Sequence, residues 1–551
     1  MKPFRLSKPY LLSQKRALIV YVLIILASSA ITILSPYIIG DFLDTLIEGA
    51  DIGVIMRFSA VFGGLSLIKI VKGYVTSVLY VKMRTKMVYG LNMDVIKHVQ
   101  GLSLSYINSK DSAYLNQRVN SDAYGLITFC ITVLQSIITN VVLLVVPFIV
   151  LLSMNRLIAV LMMVFIVVYA ASYFAFKKPL YRAGLAFRET QAKFFSKLFE
   201  QFKYLKLIKI NSIQSEMNRR ADDSFEDFKG TAVHNQKVNY LYSGMDGFIS
   251  TLAQIALFII GGIQVLAGNF TIGMFTIFTA YFNMMLGASR YFFGLGASYQ
   301  NTLVSYDRIQ EIFDQKQEGC GTEVLTDINK ISLRNLGFSY ALQESEDKLK
   351  PAAKKVIDSL NTEFCKGKIY VITGVNGAGK STLISLLMGM YIDEYSGEIS
   401  YDGKDIRSLD IVTTRKNLLG FAEQEPMLLQ ESILYNLCFD DAVDAEYASQ
   451  TLAGHINTLN MQGFVSENSL NFPINEKNTN TSGGEKQKIS ILKVMYKDPA
   501  VMIFDEPTSA LDTGTTDRFM AYLQEIKKDK IIIVITHDMF VQEQCDKVVQ
   551  L

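Results

Sequence analysis

Six apolar stretches, each long enough to cross a hydrocarbon core at about 20 residues per helix, dominate the first part of the chain. They are Ala17–Ile39, Val54–Leu79, Leu126–Leu152, Leu157–Phe176, Met245–Ala267 and Ile272–Leu295. Short connections alternate with two long polar excursions, 81–125 and 177–244, both rich in Lys and Arg. The connection after the first run instead carries Asp41, Asp44, Glu48 and Asp51, with no basic residue until Arg57, whereas Arg5, Lys8, Lys15 and Arg16 precede that run. Positive-inside bias therefore predicts a cytoplasmic N-terminus, cytoplasmic excursions and, after six crossings, a chain returned to the cytoplasm. Helical excursions of this length can reach roughly 30 Å below the bilayer before turning. The first run is too long for a cleaved signal peptide and lacks a small-residue cleavage site, so it reads as a retained helix. Ahead of it, Pro3–Arg16 sets Phe4, Leu6, Tyr10, Leu11 and Leu12 among basic residues, as an interfacial helix does.

The pattern changes near Gln315–Thr326. Beyond it, short apolar runs at Ile331–Tyr340, Ile369–Thr373, Leu419–Ala422, Val501–Phe504, Ile531–Ile535 and Val548–Leu551 read as strands between polar and helical segments. The fold class expected is a membrane α-helical domain, residues 1–320, followed by an α/β domain, residues 325–551. The charged stretch Glu344–Lys350 reads as a surface insertion between two of these strands.

Composition agrees: 50% of the 551 residues are hydrophobic and mean hydropathy is +0.23, too apolar for an ordinary soluble protein. Net charge is only +2, so overall charge does not argue for a nucleic-acid partner. Cys130, Cys320, Cys365, Cys438 and Cys545 show no metal or redox spacing and read as reduced structural thiols. Trp is absent, which leaves interfacial anchoring to Tyr and Phe, for example Tyr10, Tyr21, Tyr37 and Tyr169.

The chemistry is concentrated in the second half. Gly374-Val375-Asn376-Gly377-Ala378-Gly379-Lys380-Ser381, followed by Thr382, is a phosphate-binding loop in the order strand, glycine turn, helix. Its glycines let backbone N–H groups approach phosphate oxygens, Lys380 is placed for the β- and γ-phosphates, and the Ser381 hydroxyl is placed to ligate Mg²⁺ alongside Asp505 or a water held by it. About a hundred residues on, Thr481-Ser482-Gly483-Gly484-Glu485 precedes the strand Val501–Phe504, which ends in Asp505-Glu506. This set resembles the ATP-binding cassette transporters, and the likeness covers nearly the whole chain.

The resemblance implies roles, residue by residue. Tyr340 would stack on adenine, Gln424 would contact Mg²⁺ and sense the membrane domain, and His537 would meet the γ-phosphate. Glu506 would act as general base toward the attacking water. Asp512, in Ser509–Asp512, would lie where two cassettes communicate, and Glu476 would meet the cytoplasmic turns. Ser482, Gly483 and Gly484 would bind the γ-phosphate of ATP on a second cassette, although Thr481 replaces the commoner Leu and Glu485 the commoner Gln. One loop and one signature per chain imply a dimer, a homodimer being favoured because every hydrolytic motif is present once. Two cytoplasmic turns, near 106–118 with its Arg118-to-Asp122 pattern and near 206–217, are similar to those of exporters.

The expectation is an ATP-driven exporter in the cell membrane with both termini cytoplasmic, its cofactors ATP and Mg²⁺. A small antimicrobial peptide is the first choice of cargo, with a lipid or lipid-linked saccharide and a drug as alternatives. Glu506 argues against a channel or regulatory module that only binds nucleotide. No room is left ahead of Pro3 for a peptidase domain, so a peptide's leader would be cut elsewhere. The chain also stops at Leu551, about a strand and a helix earlier than family members usually do. Lys69, Lys72 and Arg290 are costly in a bilayer and point to a cavity or to headgroups, or, for Lys69 and Lys72, to snorkelling toward the cytoplasmic interface, with Asp246 a partner for Arg290.

Overall fold

The computed structural model describes residues 2–49, 51–110, 112–340, 355–440, 442–443, 445–462, 470–475, 481–509 and 511–551. The chain forms two compact units, Met1–Lys97 with Ala113–Asp314, and His98–Ser112 with Gln315–Leu551. The first excursion thus contributes its turn to the second unit.

In chain order the helices are α1 (Lys2–Ser13), α2 (Lys15–Ile47), α3 (Ile52–Gln100), α4 (Leu104–Ser109), α5 (Ser112–Gln117), α6 (Ala123–Met154), α7 (Arg156–Lys203), α8 (Leu205–Asn211), α9 (Gln214–Leu266) and α10 (Ile272–Phe313). A single π-helical turn, Arg118–Asp122, joins α5 to α6. Six of these helices are long and apolar enough to cross a membrane. They match the six apolar runs, but they are far longer than the runs. The 53 residues of α9 would span about 80 Å at 1.5 Å each, so the polar excursions are continuations of the membrane helices rather than loops.

Between none and half of each apolar window is buried within the chain itself, which leaves the remainder for lipid or another chain. Small residues allow the closest crossing. A Cβ on Gly273 of α10 would stand 2.1 Å from the carbonyl oxygen of Gly40 on α2, so only glycine lets these backbones meet. Asp44 fastens the same end, accepting from the Thr271 hydroxyl at 2.5 Å and the Gly273 N–H at 2.7 Å, and so capping α10. Arg118 and Asp122 close a buried ion pair at 3.0 Å across the π-helical turn, and Ser305 of α10 donates to Asp122 at 2.8 Å. Arg290 pairs with Asp246 at 3.0 Å, the partner expected for it. Two of the Tyr anchors are a correction: Tyr21 and Tyr169 are buried among helices, Tyr21 donating to Gln135 at 2.5 Å, so they serve packing rather than the lipid interface.

In the second unit, β1 (Lys330–Ser339), β2 (Lys355–Cys365), β4 (Ser396–Tyr401) and β5 (Lys404–Asp405) form an antiparallel sheet, ordered β2-β1-β4-β5. A parallel sheet has the order β6-β7-β8-β3-β9, made from β3 (Lys368–Thr373), β6 (Leu419–Ala422), β7 (Val501–Asp505), β8 (Ile531–Ile535) and β9 (Lys547–Gln550). Its helices are α11 (Lys380–Leu387), α12 (Ile411–Leu418), α13 (Ile433–Cys438), α14 (Ala445–Thr458), α15 (Gly483–Lys497), α16 (Thr513–Ile526) and α17 (Met539–Glu543).

Strand alternation explains the unbroken apolar runs. Val501, Ile503, Ile531, Ile533 and Ile535 enter one core, while Met502, Phe504, Ile532 and Val534 enter a second on the opposite face. A parallel sheet covered on both faces has no polar side to display.

Candidate functional site

Every strand of the parallel sheet runs the same way, so whatever follows each strand's last residue is delivered to one edge. Neighbouring strands are in register there, with Ala422 beside Phe504, Asp505 beside Ile535, and Ile535 beside Ile372. Past β6 comes Gln424, β7 ends in Asp505 followed by Glu506, past β8 comes His537, and past β3 comes the Gly374–Lys380 loop. Four strands thus bring together residues that the sequence scatters over more than a hundred positions.

Within the loop, Gly379 has φ +96° and N-caps α11, and a Cβ there would meet Val356 at 2.9 Å, so the turn requires glycine. Val375, Asn376 and Gly377 form its exposed crest. Lys380 Nζ donates to the Gly374 carbonyl at 2.7 Å and stands 3.0 Å from His537 Nε2. His537 Nε2 is in turn 3.8 Å from a Glu506 carboxylate oxygen. A cation, an imidazole and a carboxylate therefore line one corner. Ser381, on the first turn of α11, is exposed.

Burial, helped by the adjacent Glu506 charge and opposed by Lys380, pushes the Asp505 carboxyl up to about 6. The half-buried Asp505 carboxylate, the Ser381 hydroxyl on the loop helix and the Gln424 amide oxygen past β6 are all oxygen donors, the kind a hard divalent cation takes. Glu506 itself is bent into the left-handed region at φ +49°. Its N–H donates to the Ile535 carbonyl at 2.9 Å, and its own carbonyl accepts from Gln487 Nε2 at 2.6 Å. Gln487 is 3% exposed and also contacts Ser509 Oγ at 3.1 Å. Sequence reasoning missed Gln487. The available signal was a polar side chain on the apolar face of α15, one turn before Ile491.

In the signature, Glu485 takes the N3 position of a helix cap, a place that Gln would fill equally well. Ser482 N-caps α15, accepting from the Glu485 N–H at 3.2 Å, and the Glu485 carboxylate accepts from the Ser482 N–H at 2.6 Å. Glu485 thus closes a capping box. Thr481 is buried, with Ser482 and Gly483 exposed beside it and Gly484 half-buried.

Asp512 caps α16, accepting from the Thr515 N–H at 2.9 Å and hydroxyl at 2.8 Å, and these bonds hold its carboxyl below the usual range. Tyr340 bonds its hydroxyl to Thr382 Oγ1 at 2.8 Å and keeps 43% of its surface exposed. Gln424 is exposed two residues beyond β6. Glu476 and the Glu344–Lys350 stretch lie outside the described residues.

Two family models match the chain: ABC transporter over residues 357–509, and ABC transporter transmembrane region over residues 18–289. ABC transporter B family member 1 of Dictyostelium discoideum is 26% identical over 543 residues, 97% of this chain; the chain spans only 57% of that relative's length. An ATP-dependent lipid A-core flippase of Syntrophus aciditrophicus (strain SB) is 24% identical over 502 residues, 88% of this chain and 80% of the relative. The lactococcin-G-processing and transport ATP-binding protein of Lactococcus lactis subsp. lactis is 23% identical over 526 residues, 94% of this chain and 72% of the relative. In fold the chain is similar to a bacterial Atm1-family ABC exporter with ATP bound, with a TM-score of 0.82 at 18% identity, covering 98% of this chain and 93% of that one.

Proposed function

The chain belongs to the ABC transporters and carries their membrane and ATP-binding domains together, and on that premise we propose that it is a half-size exporter that couples ATP hydrolysis to outward movement of a small peptide. Residues 1–320 form the membrane domain and 325–551 the ATPase domain in this reading, with both termini in the cytoplasm. The observation that carries it is the convergence of Lys380, Asp505, Glu506 and His537 at the carboxyl edge of one parallel sheet.

Lys380 and the N–H groups of Gly374, Asn376, Gly377 and Gly379 hold the phosphates, and the ring of Tyr340 takes the adenine. Ser381, Asp505 and Gln424 would hold Mg²⁺, which neutralises phosphate charge when bound. Glu506 accepts the proton of the attacking water, and His537, 3.8 Å away, orients it against the γ-phosphate. Ser482, Gly483 and Gly484 of one copy close over ATP held by another, and Asp512 lies at that junction, so the working unit is a dimer, a homodimer in this reading.

The α7–α9 hairpin supports a partner chain. Phe194 and Phe228 stack at 5.5 Å inside it, yet Phe199, Phe202, Leu207 and Ile210 at its end stay exposed, an apolar surface for another chain to cover.

Peptide cargo draws support from the lactococcin-G relative, and the lipid A-core flippase relative favours a second reading, a lipid or lipid-linked saccharide. Glu506→Gln in lipid is expected to bind ATP with parental affinity and to turn over at least tenfold more slowly; parental turnover would remove Glu506 as the base. ATP-dependent accumulation of a labelled peptide in inside-out vesicles, abolished by Glu506→Gln, decides the cargo. Translocation of a labelled lipid instead selects the second reading.

A further inference from the structure

Two membrane helices of the first unit, α6 and α10, leave an open cleft of about 480 Å³ between them, large enough for a small ligand. Its wall carries hydroxyls on Thr128, Thr132, Tyr291, Ser298 and Thr302. Glycines and apolar side chains make up the rest, and no charged residue is among the described residues that line it. Two of the hydroxyls are already spent: Thr132 meets the Tyr80 hydroxyl at 3.2 Å, and Thr302 donates to the Ser298 carbonyl at 3.0 Å. Thr128 and Tyr291 differ. Both hydroxyl oxygens are buried, and neither has a hydrogen-bond partner among the described residues. A buried polar group left unbonded costs stability, so two of them lining one cleft mark a place where a bound molecule supplies the bonds.

The level of the cleft suits the entry of cargo. It takes in the start of the apolar run of α6 and the end of that of α10, which in the proposed topology puts it at the cytoplasmic side of the membrane. The interfacial helix α1 packs at the same level, with the Phe4 ring 6.5 Å from that of Phe129 on the cleft wall and in one apolar cluster with Phe129, Leu295 and Tyr299. Hydroxyls both donate and accept, as a peptide amide does, and the apolar wall suits a hydrophobic side chain. An ammonium or a carboxylate would enter without an opposite charge to meet it.

We propose that the α6–α10 cleft is a cargo subsite for an uncharged, apolar peptide segment, whose backbone amide completes the hydrogen bonds of Thr128 and Tyr291. The proposal rests on the peptide-exporter reading, and it names the part of the cargo that is held and the residues that hold it.

The chain contains no Trp, so Phe129→Trp in lipid nanodiscs gives a single fluorescent reporter on the cleft wall. A leucine tripeptide with acetylated and amidated ends is expected to change that fluorescence saturably, and the same tripeptide with free, charged ends to bind at least about tenfold more weakly. Thr128→Val and Tyr291→Phe keep the side-chain shape, and each should weaken binding about three- to tenfold, the worth of one hydrogen bond. Without peptide, Tyr291→Phe should melt no lower than the parent, since it deletes a buried hydroxyl that has no bond. A lower melting temperature would put that bond inside the fold and overturn the assignment. In chains without the reporter, the capped tripeptide should inhibit uptake of a labelled peptide into inside-out vesicles, with the same rise in inhibition constant in the two variants; an unchanged constant counts against the subsite. No fluorescence change, or equal binding of capped and charged tripeptides, overturns it. Quenching by brominated acyl chains that the tripeptide does not relieve gives the cleft to lipid and overturns it as well. Peptide uptake by the parent in those cases leaves the exporter reading standing, whereas no uptake by the parent removes the reading and the subsite with it.

Discussion

Ser482→Asp separates the two jobs given to Ser482. As a helix cap, Asp is worth about as much as Ser, whereas Ala costs about 1 kcal/mol. The Ser482 hydroxyl accepts from the Glu485 N–H at 3.2 Å, and a carboxylate can accept the same bond. Thermal stability of Ser482→Asp should therefore match the parent, while Ser482→Ala melts lower. Function should follow the opposite order. A carboxylate at this cap would face the γ-phosphate of the second copy, and two like charges about 4 Å apart repel by roughly 1 kcal/mol in water and 4 kcal/mol at a protein surface. That range corresponds to about five- to a thousandfold in closure of the dimer. The assay is ATP turnover in lipid together with ATP-dependent cross-linking between copies. Ser482→Asp should lose at least about fivefold in turnover and most of the cross-linking, with Ser482→Ala less affected. Parental turnover in a stable Ser482→Asp protein would refute the placement of Ser482 against phosphate. A melting loss equal to that of Ser482→Ala would refute the capping argument.

Gln487→Leu keeps the bulk in the core but removes the donor at 2.6 Å from the Glu506 carbonyl, so kcat should fall about tenfold with KM for ATP unchanged; a parental kcat would show that Gln487 does not hold the base. Burial lowers the Lys497 amine to about 8, where it donates to the Arg415 and Leu419 carbonyls at 2.7 and 2.5 Å. Because the unfolded amine keeps its proton up to about 10.5, this group adds stability as pH rises from about 8 toward 10.5. Melting curves should show that rise for the parent and a smaller one for Lys497→Met; parallel curves would refute it. Arg290→Ala leaves Asp246 without the partner seen at 3.0 Å and should cost about 1–2 kcal/mol, discounted for partial exposure. Adding Asp246→Asn should restore most of the loss, and an additive double variant would count against the pair.

Where the chain is punctuated, its structure was legible. The bounds of β6 and β8 agree to the residue with the apolar runs Leu419–Ala422 and Ile531–Ile535, and β3 falls within one residue of its run, because glycines and polar turns end each strand. The ends of α3, α7 and α9 were not legible in this way. An apolar run stops where the bilayer stops, and nothing in the sequence marks where the helix continues through water. Site residues following a strand end could be found from their position together with the family resemblance. Gln487 could not, since it acts on a residue nineteen positions away, through a contact that depends on the folded sheet. Tyr21 and Tyr169 show the complementary error: an amphipathic ring suits an interface and a helix packing site equally well, and only the neighbours decide.

The left-handed backbone at Glu506 has a consequence for how such a protein can change over generations. Any residue at this position must first accept φ near +49°, a region open to Gly and Asn at little cost and hostile to Val, Ile and Thr. Gly and Asn, which pass this steric filter at little cost, carry no general base, although Asp and His pass it too and could keep one. A lineage that silences hydrolysis here would therefore do so with the nucleotide platform intact, leaving a chain that folds and keeps its ATP. Loss of turnover and loss of fold are separable histories at this residue, and inheritance of the fold alone is the easier of the two.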